Sequence, residues 1–147
     1  MSRYVSAEVR RLVAERAGRL CEYCLIGEDD TFLGCEVEHI ISLKHGGSSN
    51  SDNLAYACVF CNRQKGSDVG SISQQTGEFS RFYNPRLDRW SDHFRIDEDA
   101  ITPLTVVGEV TARILQFNAG ERLLERRVLR DAERYPSKAA MAKIEGV

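Results

Sequence analysis

Apolar residues recur along this chain with two periods, and the changes between them mark its elements. From Ser6 to Ala17 the residues Val9, Leu12, Val13 and Ala17 fall at helical spacing, with Ser6 placed to cap and Gly18 placed to stop. That pattern predicts one amphipathic helix. Cys21 to Cys24 reads as a tight knuckle, followed by an acidic turn at Glu28, Asp29 and Asp30. Phe32 to Leu43 is rich in β-branched and apolar residues and predicts a strand. Lys44 to Asp52 is a concentrated loop signal, and the apolar run from Leu54 predicts a short strand leading through Cys58 into a helix that ends near Lys65-Gly66.

Residues 66–80 hold Gly, Ser, Gln and Thr without an apolar period and read as a surface connection. Beyond them Phe82, Tyr83, Trp90 and Phe94 form an aromatic stretch, and Phe94 to Thr102 predicts a hairpin turning at Asp97-Glu98-Asp99. Thr105 can cap a helix carrying Val107, Val110, Ile114, Leu115 and Phe117, closed by Asn118-Ala119-Gly120; a second helix spans Glu121 to Arg134. From Pro136 the chain is expected to fray. The fold class is α+β, without repeats.

Composition sharpens this only in part. A length of 147 residues, 42% of them hydrophobic, suits one domain of ordinary size. The net charge of −2 excludes a binder that relies on a global positive field. The longest apolar run, Leu54 to Cys61, is far below the ~20 residues of a membrane span. The opening residues show no apolar stretch of the secretory kind, so a reducing cytoplasmic setting is expected, and five cysteines there require an explanation other than disulfides.

Cys21-x-x-Cys24 and Cys58-x-x-Cys61 supply it. Two such pairs can present four thiolates to one tetrahedral Zn²⁺, a closed structural site with no open position for chemistry. Cys35 is the odd one out and reads as a small apolar side chain in the strand. The ion would hold the residues between the pairs as one excursion, which contains Glu36-Val37-Glu38-His39-Ile40-Ile41 and Asn53; Asn62-Arg63-Gln64-Lys65-Gly66 follows the last cysteine.

This succession (C-x-x-C, E-H-I-I, a Gly-Gly-Ser loop with D-N-L, and C-x-x-C-N-R-x-K-G) resembles the HNH endonucleases, or ββα-metal nucleases, in the version with a four-cysteine zinc frame. The resemblance covers about residues 16–66. It implies a ββα-metal core with structural zinc, which together with the N-terminal helix is expected to take up residues 1–66; the connecting loop, hairpin and two helices read from the pattern make residues 67–147 a C-terminal extension expected to pack on that core. It further implies a catalytic set of His39, Asn53 and Asn62, and products with a 5′-phosphate and a 3′-hydroxyl. Asn62 stands where many relatives have His, a variant similar to the HNH domain of RNA-guided CRISPR effectors. Glu38 stands where the family commonly has Asp.

Phosphodiester hydrolysis needs a deprotonated water in line with the leaving oxygen and positive charge on the phosphate oxygens. Neighbouring side chains of a strand point to opposite sides, so Glu38 is assigned to a divalent ion and His39 to the water. The unperturbed imidazole, with a pKa of ~6.5, is mostly neutral at pH 7 yet basic enough to accept a proton. Glu38 and the amide of Asn62 would hold Mg²⁺ or Mn²⁺, which keep water and substrate oxygens in their shell. Asn53 would tie the loop to the strand behind His39, or simply form an Asx-turn after Asp52.

Basic residues complete the reading. Arg63 and Lys65 lie near the expected phosphate position. Arg122, Arg126, Arg130 and Arg134 recur every four residues, a like-charged stripe that is either a solvated face or a surface for the DNA backbone. The chain is thus expected to be a metal-dependent endonuclease acting on DNA, with no membrane association and a monomeric or homodimeric state left open, since one active site makes one cut. The alternative is a non-catalytic, zinc-stabilised nucleic-acid-binding module.

Overall fold

The computed structural model describes residues 4–146; Met1 to Arg3 and Val147, which the expected domain limits include, lie outside the described residues. Helix α1 (Ala7–Arg16) begins where the Ser6 hydroxyl accepts from the Val9 amide at 3.1 Å, and it buries Val13 and Ala14. The Cys21 knuckle closes through Leu25 N to Cys21 O and Cys21 N to Ile26 O, with Leu25 at φ +66°.

Strands β1 (Cys35–His39) and β2 (Leu54–Cys58) pair antiparallel, Cys35 opposite Cys58 and His39 opposite Leu54. The strand expected over Phe32–Leu43 is shorter at both ends. Leu33 and Gly34 take positive φ, +70° and +68°, and the exposed Phe32 and Leu33 cap a turn rather than enter the sheet. After His39 the chain leaves the ladder for a 3₁₀ turn at Leu43–His45. Helix α2 (Val59–Lys65) continues directly from β2, so β1, β2 and α2 form a ββα unit.

The expected connection over residues 66–80 contains a small hairpin, β3 (Gly70–Ile72) with β4 (Phe79–Arg81). At three residues per strand, with Gly70 in the first, it carries too little periodicity to be read from sequence. A four-residue helix, α3 (Trp90–His93), precedes the expected hairpin, now β5 (Phe94–Asp97) and β6 (Ala100–Pro103). Helix α4 (Val106–Ile114) is capped by Thr105, and α5 (Gly120–Asp131) follows, with Gly120 opening it rather than closing α4. Where fraying is expected from Pro136, the described residues form a helix: Ser137 caps α6 (Lys138–Ile144), which buries Ala140.

The described residues form a mixed α+β fold with three two-stranded sheets. Its main core joins both halves of the chain. Leu20, Tyr23, Leu25 and Ile26 pack with Tyr83, Trp90, Phe94, Phe117 and Tyr135. The Trp90 and Phe94 rings meet tilted with centroids 5.1 Å apart, Phe94 and Phe117 likewise at 5.5 Å, and the Trp90 indole donates to Tyr23 O at 2.8 Å. None of the described helices is long and apolar enough to cross a membrane.

Candidate active site

The four cysteine sulfurs Cys21, Cys24, Cys58 and Cys61 are buried and lie within 4.8 Å of one another, with Cys24 and Cys58 at 3.8 Å. A tetrahedral Zn²⁺ with bonds of about 2.3 Å places its sulfurs roughly 3.8 Å apart, so the cluster fits that ion. Backbone amides are aimed at the sulfurs. Tyr23 N and Cys24 N lie 3.4 Å from Cys21 Sγ, and Cys61 N lies 3.4 Å from Cys58 Sγ, bonds that favour thiolates. Cys35 takes no part and packs partly buried against the core.

Because Cys58 ends β2 and Cys61 lies in the first turn of α2, the cluster fixes this helix against β1. Two rungs connect them: residues two apart on the strand meet residues three apart on the helix. Asn62 Nδ2 donates to Glu36 Oε1 at 2.6 Å near the surface. Lys65 Nζ donates to Glu38 Oε2 at 3.0 Å in the interior. Lys65 is 1% exposed and also donates to His39 O at 3.0 Å and Ile40 O at 2.9 Å, so its three donors are spent. Tyr23 completes the group by donating to Glu38 Oε1. Burial pushes the Glu38 carboxyl above its usual range, opposed by the Lys65 ammonium and the two hydrogen bonds. Burial, then the Glu38 charge, raises the Tyr23 phenol well above its own.

His39 stands at the end of β1, its Nε2 3.0 Å from Ser49 Oγ. Behind it Asn53 acts as a clamp. Its Oδ1 accepts from Ile41 N at 3.0 Å, and its Nδ2 donates to Ile41 O at 2.9 Å and Ser48 O at 2.7 Å. Gly47 is required beside it, since a Cβ there would lie 1.8 Å from Ile41 O and 2.8 Å from Asn53 Nδ2.

His39, Glu38 and Asn62 line one open cleft of about 350 Å³ with Ser42, Lys44 and Ser67. A comparable depression of about 370 Å³ lies elsewhere, among Pro103, Glu109, Arg113 and Gln116, but there Glu109 and Arg113 pair with each other at 3.0 Å. For a divalent cation the donor set in the His39 cleft is suitable. A carboxylate offers about four lone-pair positions, of which Tyr23 and Lys65 use two, and the amide of Asn62 adds a carbonyl oxygen.

The expected nucleic-acid residues fare differently. Arg63 is exposed on α2, beside Asn62. Lys65 is not available to a phosphate, because its ammonium is buried against Glu38 and two carbonyls. The arginine stripe divides: its first two members are buried, and Arg130 and Arg134 stay exposed but paired. Arg122 is 5% exposed and reaches the cysteine sulfurs. Arg126 is fully buried, donating to Asp99 O and Phe117 O at 2.6 Å each. Arg130 closes on Asp99 at 2.6 Å and Arg134 on Asp30 at 2.5 Å. The stripe's counter-surface is thus the protein's own acceptors. The residue that the sequence pattern does not single out is Tyr23, whose place inside the knuckle is the available signal.

The HNH endonuclease profile matches residues 21–68, which take in both cysteine pairs, the β1–β2 hairpin and α2. No curated protein and no solved structure matches the chain. Cysteine frame, hairpin and helix coincide with the matched segment, and this chain therefore carries a domain of the HNH endonuclease family over residues 21–68, set on a buried four-cysteine cluster.

Proposed function

We propose that this protein is a metal-dependent endonuclease that hydrolyses DNA phosphodiester bonds, with residues 1–66 as its nuclease core and residues 67–147 as an extension packed on it. The observation that carries the reading is the shared cleft of His39, Glu38 and Asn62 within the family-matched segment. His39 is the general base. Its imidazole accepts the proton of the attacking water, and Ser49 and the Asn53 clamp keep ring and strand end in place. Glu38 and Asn62 offer the oxygen donors for Mg²⁺ or Mn²⁺, which when bound supplies positive charge to the phosphate oxygens. Tyr23 and Lys65 hold the Glu38 carboxylate toward that task, and the cysteine frame, loaded with zinc, fixes the helix that carries Asn62. Lys44, which lines the cleft, and the exposed Arg63, next to Asn62 in sequence, are the contacts for the sugar-phosphate backbone.

The test is nicking of supercoiled plasmid by the purified protein with Mg²⁺, Mn²⁺ or EDTA. Wild type is expected to nick with a divalent ion and not with EDTA, and His39→Ala to be at least about 100-fold slower, the low end for a positioned base. Nicking that persists in His39→Ala overturns the mechanism. Wild-type protein that binds DNA and cuts it under no metal condition favours a non-catalytic zinc-stabilised module.

A further inference from the structure

Arg122 lies on α5, 98 residues beyond Cys24, outside the family-matched segment, yet its guanidinium reaches both knuckles. Nη2 lies 3.1 Å from Cys24 Sγ and Nη1 3.5 Å from Cys58 Sγ, so two nitrogens of one planar group address one sulfur from each cysteine pair. The guanidinium also lies over the Phe60 ring, 4.8 Å from its centroid, and Phe60 sits between Cys58 and Cys61 in the second knuckle. The remaining nitrogen, Nε, faces Glu125 at 3.3 Å. Further along, Tyr135 donates to Cys24 O at 2.8 Å, a second bond to the same knuckle from the same half of the chain.

Four thiolates around Zn²⁺ carry a net charge of −2, and here that charge is enclosed, every sulfur belonging to a buried residue. Buried charge is expensive unless it is paired and hydrogen-bonded. Arginine suits this place: it is permanently charged, and its rigid fork can donate to two acceptors at once, which the single ammonium of lysine does less well. From this geometry we infer that Arg122 is the counter-charge of the zinc–thiolate cluster, so that retention of zinc by the first half of the chain depends on a helix of the second half. The inference rests on the reading of the cysteine cluster as a zinc site and is independent of the nuclease reading.

The experiment uses full-length protein, measuring zinc per chain as purified and then the rate of zinc transfer to an excess of a chromogenic chelator under native conditions. Arg122→Gln is expected to release zinc about 10–100-fold faster than wild type, the usual scale for loss of an outer partner of a metal ligand, and Arg122→Lys at a rate between the two. Arg126→Lys is the control, because Arg126 is buried on the same helix without touching a sulfur. Zinc release by Arg122→Gln at the wild-type rate overturns the assignment. So does equally fast release from Arg126→Lys when thermal unfolding shows equal destabilisation, since loss would then follow general loosening. Wild-type protein that holds no zinc overturns the reading of the cluster itself, an outcome separate from either. Should Arg122→Gln fail to fold, Arg122→Lys decides the matter, with wild-type release rates overturning the proposal.

Discussion

Lys65 Nζ stands 3.0 Å from Glu38 Oε2, and the same ammonium holds the carbonyls of His39 and Ile40. One buried cation thereby joins the helix that carries Cys61 to the strand end that presents His39. Lys65→Met leaves the Glu38 carboxylate buried without its partner and is expected to cost about 3–5 kcal/mol in urea unfolding. Glu38→Gln combined with Lys65→Met removes both charges and is expected to regain a substantial part of that loss while plasmid nicking stays absent. A double variant no more stable than Lys65→Met alone would show that the pair is not coupled.

The Asn53 clamp predicts a non-additive pair. Asn53→Ala strips Ile41 N of its acceptor and is expected to destabilise by about 1–3 kcal/mol. Gly47→Ala pushes a methyl into Ile41 O and the same Asn53 amide, at an expected cost of about 1–3 kcal/mol. Because both act on one contact, the double variant should fall short of the sum; full additivity in urea unfolding would separate loop from clamp.

Burial and ion pairing divide the arginines and lysines into those able to meet a phosphate and those already engaged. Arg63→Gln with Lys44→Gln is expected to lower the slope of log DNA affinity against log salt by about 1–2, one for each phosphate contact removed. Arg130→Gln should leave that slope unchanged, since Arg130 is paired with Asp99 at 2.6 Å. Filter binding across a salt series distinguishes the two.

Asp88 sets an acid limit on stability. Burial raises its carboxyl, but Arg81, donating at 2.7 and 2.9 Å, and the Asn84 amide at 2.8 Å outweigh this and hold it below the usual range. A folded-state pKa below the unfolded value of ~3.9 means that the contribution is complete above that value and is lost as pH falls through the lower one. The thermal midpoint gap between wild type and Asp88→Asn should shrink as pH falls below about pH 4. A gap independent of pH would remove the carboxylate's charge from the account.

Local chemistry was the most legible part of this chain. The cysteine frame is written in ligand spacing, and the helix starts at Ser6 and Thr105 in side chains that cap their own next turn. The arginine stripe shows the limit. A four-residue period says that Arg122, Arg126, Arg130 and Arg134 share a face, but only the fold decides that the first two are buried and that the exposed Arg130 and Arg134 pair with Asp99 and Asp30. Lys65 was misplaced for the same reason, its acceptors lying on a strand more than twenty residues earlier. The β3–β4 hairpin and α6 went unread because short elements owe their form to tertiary packing more than to their own pattern.

The chain has one tryptophan, and its indole nitrogen is bonded to the Tyr23 carbonyl between the first two cysteines. Trp90 is 3% exposed, in the aromatic layer that the two halves share. The molecule thus contains its own optical gauge. Rearrangement of the knuckle would open the Trp90 pocket and shift its emission to the red, so metal loss and the parting of the two halves can be followed on unlabelled protein in real time.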